Sequence, residues 1–341
     1  MSESTTLRSF WHRLHRSAAD TDMELAPDVR ELLDWDRALG QRIEHLSVDD
    51  RRGAVRAAVD ELVTRGMAQT QPQVEDIRDF EIPVDAGSVR LRVYLPPGQG
   101  PRGALFHIHG GGFTLGGIDW AVNHVKCVHI AAAAGCAVAT VDYRLAPEFP
   151  YPTAVEDCYA ALLGLAEKAS QLGIDDRKIA VGGESAGGNL AAVMALMARD
   201  RHGPDLALQL LEVPVVDMGD RFGAHSSMKL FGDGYGLDTP GIESFVDAYL
   251  PNLHDRREPY ASPLLAPDLT NLAPAHVVTA EFDPLRDAGE AYARRLKKAG
   301  VPTVLQRFTG QTHGSSVLWA TWAPAGEWME SVVSAVRAAT V

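Results

Sequence analysis

Cysteine is scarce in this chain: Cys127, Cys136 and Cys158 are the only ones in 341 residues. An odd number with no C-x-x-C pair excludes a disulfide-framed fold and a cysteine-based zinc site, and suits buried reduced thiols. Basic charge is also short, with 32 Lys plus Arg against 45 Asp plus Glu and a formal net charge of −13. Phosphate binding needs a basic face, so a nucleic-acid partner is not expected. No stretch reaches the ~18 apolar residues of a membrane span, and the N-terminus lacks the apolar core of a signal peptide. The expectation is a cytoplasmic protein without stable membrane insertion. Leu7 to Arg16 is basic and amphipathic, and is read as a helix packed over the domain rather than a membrane-surface anchor. Internal repeats and low-complexity tracts are absent.

Apolar residues, by contrast, are plentiful. At 46% hydrophobic, the chain can bury a large core, and a single α/β domain with a small cap fits better than two independent domains. Pro27 opens a helical pattern carrying Val29, Leu32, Leu33 and Leu39, and Ser47 caps another carrying Val55, Ala58, Val59 and Leu62. Val74 to Val84 and Ser88 to Leu95 then alternate around Asp85-Ala86-Gly87, a hairpin signal closed by Pro96-Pro97-Gly98. Further strands are predicted near 103–108, 136–142, 178–182, 206–213, 275–281 and 303–308, with helices between most of them. Alternation of this kind predicts a mostly parallel, doubly wound sheet of eight strands, with functional residues on loops at the strands' carboxyl ends. Residues 216–274 break the rhythm. They are rich in Gly, Asp and aromatics (Phe222, Phe231, Tyr235, Phe245, Tyr249), and so long an insertion reads as a lid or cap.

Chemistry concentrates where Lys178-Ile179-Ala180-Val181 runs into Gly183-Glu184-Ser185-Ala186-Gly187-Gly188. A strand turning sharply into a helix with a strained serine between them needs small residues two before and two after it. With 31 glycines in the chain, G-x-S-x-G alone arises by chance roughly once in eight such chains. A second motif raises its weight. Ala104-Leu105-Phe106 ends in His107-Ile108-His109-Gly110-Gly111-Gly112-Phe113, and a strand opening into H-G-G-G can aim backbone N–H groups at an oxyanion forming over the serine. A serine hydroxyl also needs a base and a carboxylate to fix that base's tautomer. Asp283 follows the seventh predicted strand and His313 the eighth, giving the chain order Ser, Asp, His of α/β-hydrolases.

Together with Asp142-Tyr143-Arg144-Leu145-Ala146-Pro147-Glu148, Ala261-Ser262-Pro263-Leu264, Asp283-Pro284-Leu285-Arg286-Asp287 and His313-Gly314, these motifs resemble the hormone-sensitive-lipase-like (bacterial family IV) carboxylesterases from about residue 75 onward. The resemblance implies an α/β-hydrolase fold, with Ser185 as nucleophile, His313 as general base and then acid, and Asp283 as its orienter. It implies an oxyanion hole made by the N–H groups of Gly111, Gly112 and Ala186. It also implies a catalytic domain over 74–341, capped by residues 1–73 and an insertion near 217–252. The implied reaction is cofactor-free hydrolysis of short- to medium-chain acyl esters. The chain departs from the family's usual pattern at Glu184, where Asp is commoner, at Asp287-Ala288-Gly289 instead of Asp-Glu-Gly, and at Ser315 instead of Phe. The last change is expected to widen or polarise the pocket.

Other readings of these residues are simpler. Ser185 could merely cap a helix, and Asp217 or Asp287 could be the acid in place of Asp283. His109 reads as structural, hydrogen-bonding the loop that Gly110 begins, and Glu184 as ordering the elbow. Neither His107-x-His109 nor His124 with Cys127 and His129 supplies a third metal ligand at persuasive spacing, so no metal is expected. Ser226-Ser227-Met228-Lys229 fits S-x-x-K, the nucleophile signature of serine β-lactamases, but lies in the insertion. Phe10, Trp11, Trp35, Trp120, Phe231 and Tyr235 are candidate pocket aromatics, about half of them expected in ordinary packing. Three rivals to the esterase reading remain. Amide or lactam cleavage would use the same triad, whereas small-molecule binding without hydrolysis, as in the plant gibberellin receptors, goes with an incomplete one. A prolyl-peptidase-like protease needs a gating domain that this chain lacks. Strand eight at a sheet edge leaves a homodimer open. An unperturbed imidazole predicts activity rising with pH through ~6.5.

Overall fold

The computed structural model describes residues 25–43, 45–66, 73–98, 100–219 and 222–341. The amphipathic stretch Leu7 to Arg16, with Phe10 and Trp11, lies outside the described residues. Among the described residues two helices come first, α1 (Pro27–Ile43) and α2 (Val48–Gly66). Ser47 caps α2 by accepting the Asp50 N–H at 3.2 Å and donating its hydroxyl to the Asp50 carboxylate at 2.7 Å, satisfying a donor that the first helical turn would leave orphaned.

Strands β1 (Asp76–Val84) and β2 (Gly87–Leu95) form the hairpin. Val84 pairs with Gly87, so the turn is the two residues Asp85-Ala86, and Ala86 takes the positive φ of 58° that so tight a turn imposes. The rest alternates: β3 (Arg102–Ile108), α3 (Ala121–Ala134), β4 (Ala137–Val141), α4 (Thr153–Leu172), β5 (Ile174–Glu184), α5 (Ala186–Asp200) and β6 (Leu206–Glu212). After the insertion, which carries α6 (Ser226–Phe231) and α7 (Thr239–Tyr249), come β7 (Ala275–Phe282), α8 (Arg286–Lys298), β8 (Thr303–Thr312) and α9 (Ala323–Thr340).

The strands make one eight-stranded sheet in the order β1-β2-β4-β3-β5-β6-β7-β8. β2 is antiparallel to both β1 and β4, and every pairing from β4 through β8 is parallel. Because side chains alternate along a strand, each central strand feeds two cores. Phe106, Ile108, Ala139 and Val181 pack on one face with Val155, Leu162, Leu190 and Tyr292 from α4, α5 and α8. Leu105, Val138, Ala180 and Leu210 pack on the other with Ile130 of α3 and Trp328 and Val332 of α9. Burial on both faces is why these strands read as continuous apolar runs. All four motif-bearing loops, after β3, β5, β7 and β8, therefore emerge at the same carboxyl edge of the sheet.

Candidate active site

β5 ends at Glu184 and α5 begins at Ala186, so Ser185 alone makes the turn, with φ 57° and ψ −115°. A non-glycine residue held there costs on the order of 1–3 kcal/mol and persists only when its surroundings over-determine it. The backbone does so here: Ser185 N donates to Glu212 O at 2.9 Å, and Ser185 O accepts from Asn189 N at 3.0 Å. The flanking glycines permit the close approach. A Cβ on Gly187 would lie 2.0 Å from Ile108 O, and one on Gly183 would lie 2.4 Å from Gly187 O.

His313 Nε2 lies 2.9 Å from Ser185 Oγ, and His313 Nδ1 lies 2.9 Å from Asp283 Oδ2. A carboxylate can only accept, so in the neutral ring Nδ1 carries the proton and Nε2 is the acceptor facing the serine hydroxyl. Asp283 is fully buried, and its other oxygen accepts the Leu285 N–H at 2.8 Å. Burial opposes charge on His313, but the Asp283 carboxylate and its hydrogen bond, with Glu184 behind them, outweigh that and raise its pKa above the ordinary 6.5. The rival acids are engaged elsewhere: Asp217 lies 3.1 Å from His225 Nε2, and Asp287 accepts from Ser227 N at 2.9 Å.

Beside the serine, Gly111 and Gly112 adopt φ 117° and 59°. Among the described residues, the N–H groups of Gly111, Gly112 and Ala186 donate to no protein acceptor. The loop is tightly constrained, since a Cβ on Gly111 would lie 2.2 Å from Leu115 O and one on Gly112 would lie 2.5 Å from the Phe245 ring. His109 is buried under it, its Nδ1 2.8 Å from Gly110 O and its ring stacked on Tyr143 at 4.3 Å.

Behind the elbow lies a buried charge cluster. Lys126 Nζ donates to Glu184 Oε2 at 2.8 Å and to Glu212 Oε1 at 2.9 Å, and Trp328 Nε1 donates to Glu212 Oε2 at 2.8 Å. Burial pushes the Glu212 carboxyl up, while Lys126 overcomes burial to hold Glu184 below its ordinary range. Removing one partner of such a group leaves uncompensated buried charge, which costs about 3–5 kcal/mol. Lys126→Met should therefore lower unfolding free energy by that amount in urea denaturation at pH 8. A loss under about 1 kcal/mol would mean that the cluster is hydrated and contributes little.

A cavity of about 310 Å³ opens over Ser185 and His313. Its walls are mostly apolar, with Val55 and Val59 from α2, Ile242, Phe245 and Val246 from α7, and Trp120. Of the other candidate aromatics within the described residues, Trp35 does not line it, and Phe231 and Tyr235 pack instead with Phe282, at 5.6 and 5.4 Å between ring centroids. Ser315 is not among the residues that line this cavity, so its hydroxyl does not polarise it. Its buried hydroxyl donates to Gln311 Oε1 and accepts from Thr312 N, so it pins the His313 loop from behind. Ser226 and Lys229 of the S-x-x-K match are both exposed on α6, away from the cavity. His124 is engaged with the Tyr94 hydroxyl at 3.1 Å, His129 lies against Trp319, and the described residues contain no group of three potential metal ligands.

Three contributors carry little sequence signal. Lys126 is the single Lys or Arg in helix α3, among mostly apolar residues, which is a clue to buried pairing but does not name its partners. Arg52 of α2 donates to Thr114 O at 2.8 Å, to Ala146 O at 2.8 Å and to the Glu148 carboxylate at 2.8 Å, so it ties α2 to the glycine loop. Phe245 sits against that loop from α7, and only tertiary packing sets its position.

An eight-stranded, mostly parallel sheet with serine, acid and histidine on its carboxyl-edge loops defines an α/β-hydrolase, and the model of a family with that fold matches residues 105–316. The chain belongs to the hormone-sensitive-lipase-like (family IV) carboxylesterases of that superfamily, a class of carboxylic ester hydrolases. It is 40% identical to the carboxylic ester hydrolase LipN of Mycobacterium tuberculosis over 92% of this chain and 83% of that one. It is 41% identical to an arylesterase of Saccharolobus solfataricus over 76% and 82% of the two chains. Among solved structures, the hyperthermophilic esterase of Pyrobaculum calidifontis superposes with a TM-score of 0.85 at 36% identity, covering 93% of this chain and 99% of that one. No helix of the described residues is long and apolar enough to cross a membrane.

Proposed function

We propose that this chain hydrolyses short- to medium-chain carboxylic esters through an acyl-enzyme on Ser185. The observation that carries this reading is the continuous chain Asp283, His313, Ser185, ending in a cavity that also receives the Gly111 and Gly112 loop. Ser185 Oγ attacks the ester carbonyl as its proton passes to His313 Nε2. The carbonyl oxygen becomes an oxyanion, stabilised by the N–H groups of Gly111, Gly112 and Ala186, which no acceptor among the described residues competes for. His313 then protonates the leaving alkoxide, and water enters, loses a proton to the same nitrogen and releases the acid. Helices α1 and α2, with the insertion near 217–252, act as the cap.

A cavity of about 310 Å³ is at the small end of the roughly 300–1,000 Å³ usual for ligand pockets, which favours short acyl chains. Turnover of p-nitrophenyl esters from acetate to dodecanoate should peak at or below octanoate. A peak at dodecanoate would contradict the size argument, and no turnover at any length would contradict the esterase. A complete hydrogen-bonded triad also argues against a binding-only role.

The pH profile follows from His313. The ring must be neutral to accept the serine proton, so protonation below its pKa removes the base, and a raised pKa moves that loss upward. The acid limb of kcat/KM should have its midpoint above 6.5, the ordinary value that the sequence alone predicts and from which His313 is shifted. A midpoint below 6.5 would mean that burial, not Asp283, governs this residue.

A further inference from the structure

The same cavity also has polar residues in its wall, and the mechanism does not use all of them. His107, Lys126 and Glu184 are all among its lining residues. His107 projects from β3, where it pairs with Gly182 of β5, two residues before Glu184. The residue is 1% exposed, and its Nε2 has no hydrogen-bond partner among the described residues. Burial, helped by the charge on Lys126, holds this imidazole well below its ordinary pKa and therefore neutral. Its other nitrogen, Nδ1, lies 4.0 Å from Cys127 Sγ, and burial pushes the Cys127 thiol up to about 12, so it stays protonated. A thiol that donates to Nδ1 leaves the ring proton on Nε2, an orphan donor. An ammonium carries three donors, and Lys126 uses two of them on Glu184 and Glu212, which leaves a third. Glu184 accepts at Oε2, and its side chain keeps 29% exposure, so Oε1 remains as an acceptor.

Two unused donors and one unused acceptor match a hydroxyl group, which offers two lone pairs and one proton. We propose that His107, Lys126 and Glu184 form a hydroxyl-binding subsite of the ester pocket, so that the preferred substrates are esters bearing a free hydroxyl on the acyl or the alcohol part. This rests on the esterase reading above and refines its substrate class. An apolar pocket would discriminate in the opposite direction, because a hydroxyl entering it loses its hydrogen bonds to water. A buried donor left unpaired is penalised roughly 5- to 150-fold in an equilibrium.

The test uses pairs that differ only by a methyl in place of a hydroxyl, followed by pH-stat. The alcohol arm compares 2-hydroxyethyl butanoate with propyl butanoate, and the acyl arm compares ethyl 3-hydroxybutanoate with ethyl 3-methylbutanoate. The expected result is a kcat/KM about tenfold or more higher for the hydroxylated member in one arm, which also identifies the part of the substrate that the subsite holds. His107→Phe should collapse that ratio at least fivefold, and His107→Gln, which retains a donor, should restore part of it. Because each ratio is internal to one variant, a general loss of activity does not alter it. Should His107→Phe fail to fold, Glu184→Gln provides the same reading. Preference for the methyl member in both arms, or a hydroxyl preference that His107→Phe and Glu184→Gln leave intact, would overturn the subsite while leaving the esterase standing. No turnover of any of the four esters would overturn the esterase itself.

Discussion

Replacing Ser185 with alanine should reduce kcat on p-nitrophenyl butyrate by about 10⁵- to 10⁶-fold, the scale seen when a triad nucleophile is removed from a serine hydrolase. The hydroxyl's recorded partner is His313 Nε2 at 2.9 Å, and the elbow is held by backbone bonds to Glu212, Asn189 and Val215 that alanine keeps. The variant should therefore retain its melting temperature within a few degrees, so the loss would belong to the chemical step. The residual rate should still exceed that of water, because the Gly111, Gly112 and Ala186 donors and the cavity remain in place. A loss under a hundredfold would mean that another group attacks the ester.

Asp283→Asn should cost on the order of 10⁴-fold in kcat, for a reason the hydrogen bonds define. Asp283 Oδ1 accepts from Leu285 N at 2.8 Å, and Oδ2 faces His313 Nδ1 at 2.9 Å. In the asparagine variant the carbonyl oxygen stays on the Leu285 N–H, which turns the amide NH₂ toward His313. Nδ1 must then accept, the ring proton moves to Nε2, and the base faces Ser185 in the wrong tautomer. A kcat determination at pH 8, with circular dichroism to verify the fold, tests this. A loss below tenfold would remove Asp283 from its role, and Asp217→Asn and Asp287→Asn would be the next variants to measure.

Much of this site could be read from the sequence because its chemistry is local. Gly183 and Gly187 flank the serine in the chain itself, and their need for a missing Cβ is the same backbone crowding that puts Ser185 at φ 57°. The β-strands were equally readable where both faces are buried, as in Ala104 to Ile108, since such strands are apolar throughout. What could not be read depends on partners distant in the chain. Arg52 meets Glu148 across a separation of 96 residues, and Lys126 meets Glu212 across 86, and no local pattern encodes either pairing. Ser315 shows the limit from the other side. Its departure from the family's usual Phe suggested a changed pocket, but its hydroxyl turns inward to Gln311 and Thr312, a direction that only the fold of the His313 loop determines. The pKa of His313 is similar: histidine has an ordinary value near 6.5, and the Asp283 and Glu184 carboxylates around it raise it.

The most direct measurement for the central claim, that Ser185 is the attacking nucleophile, is covalent labelling with diethyl p-nitrophenyl phosphate. The phosphorus is attacked as an ester carbonyl would be, p-nitrophenolate leaves, and the diethylphosphoryl group stays on the attacking oxygen. Intact mass followed by peptide mapping should find one adduct per chain, on the peptide containing Ser185, with activity lost in proportion to labelling and the rate of labelling greatly reduced in His313→Ala. An adduct on any other residue that tracks the loss of activity, or full activity after complete labelling of Ser185, would contradict the account.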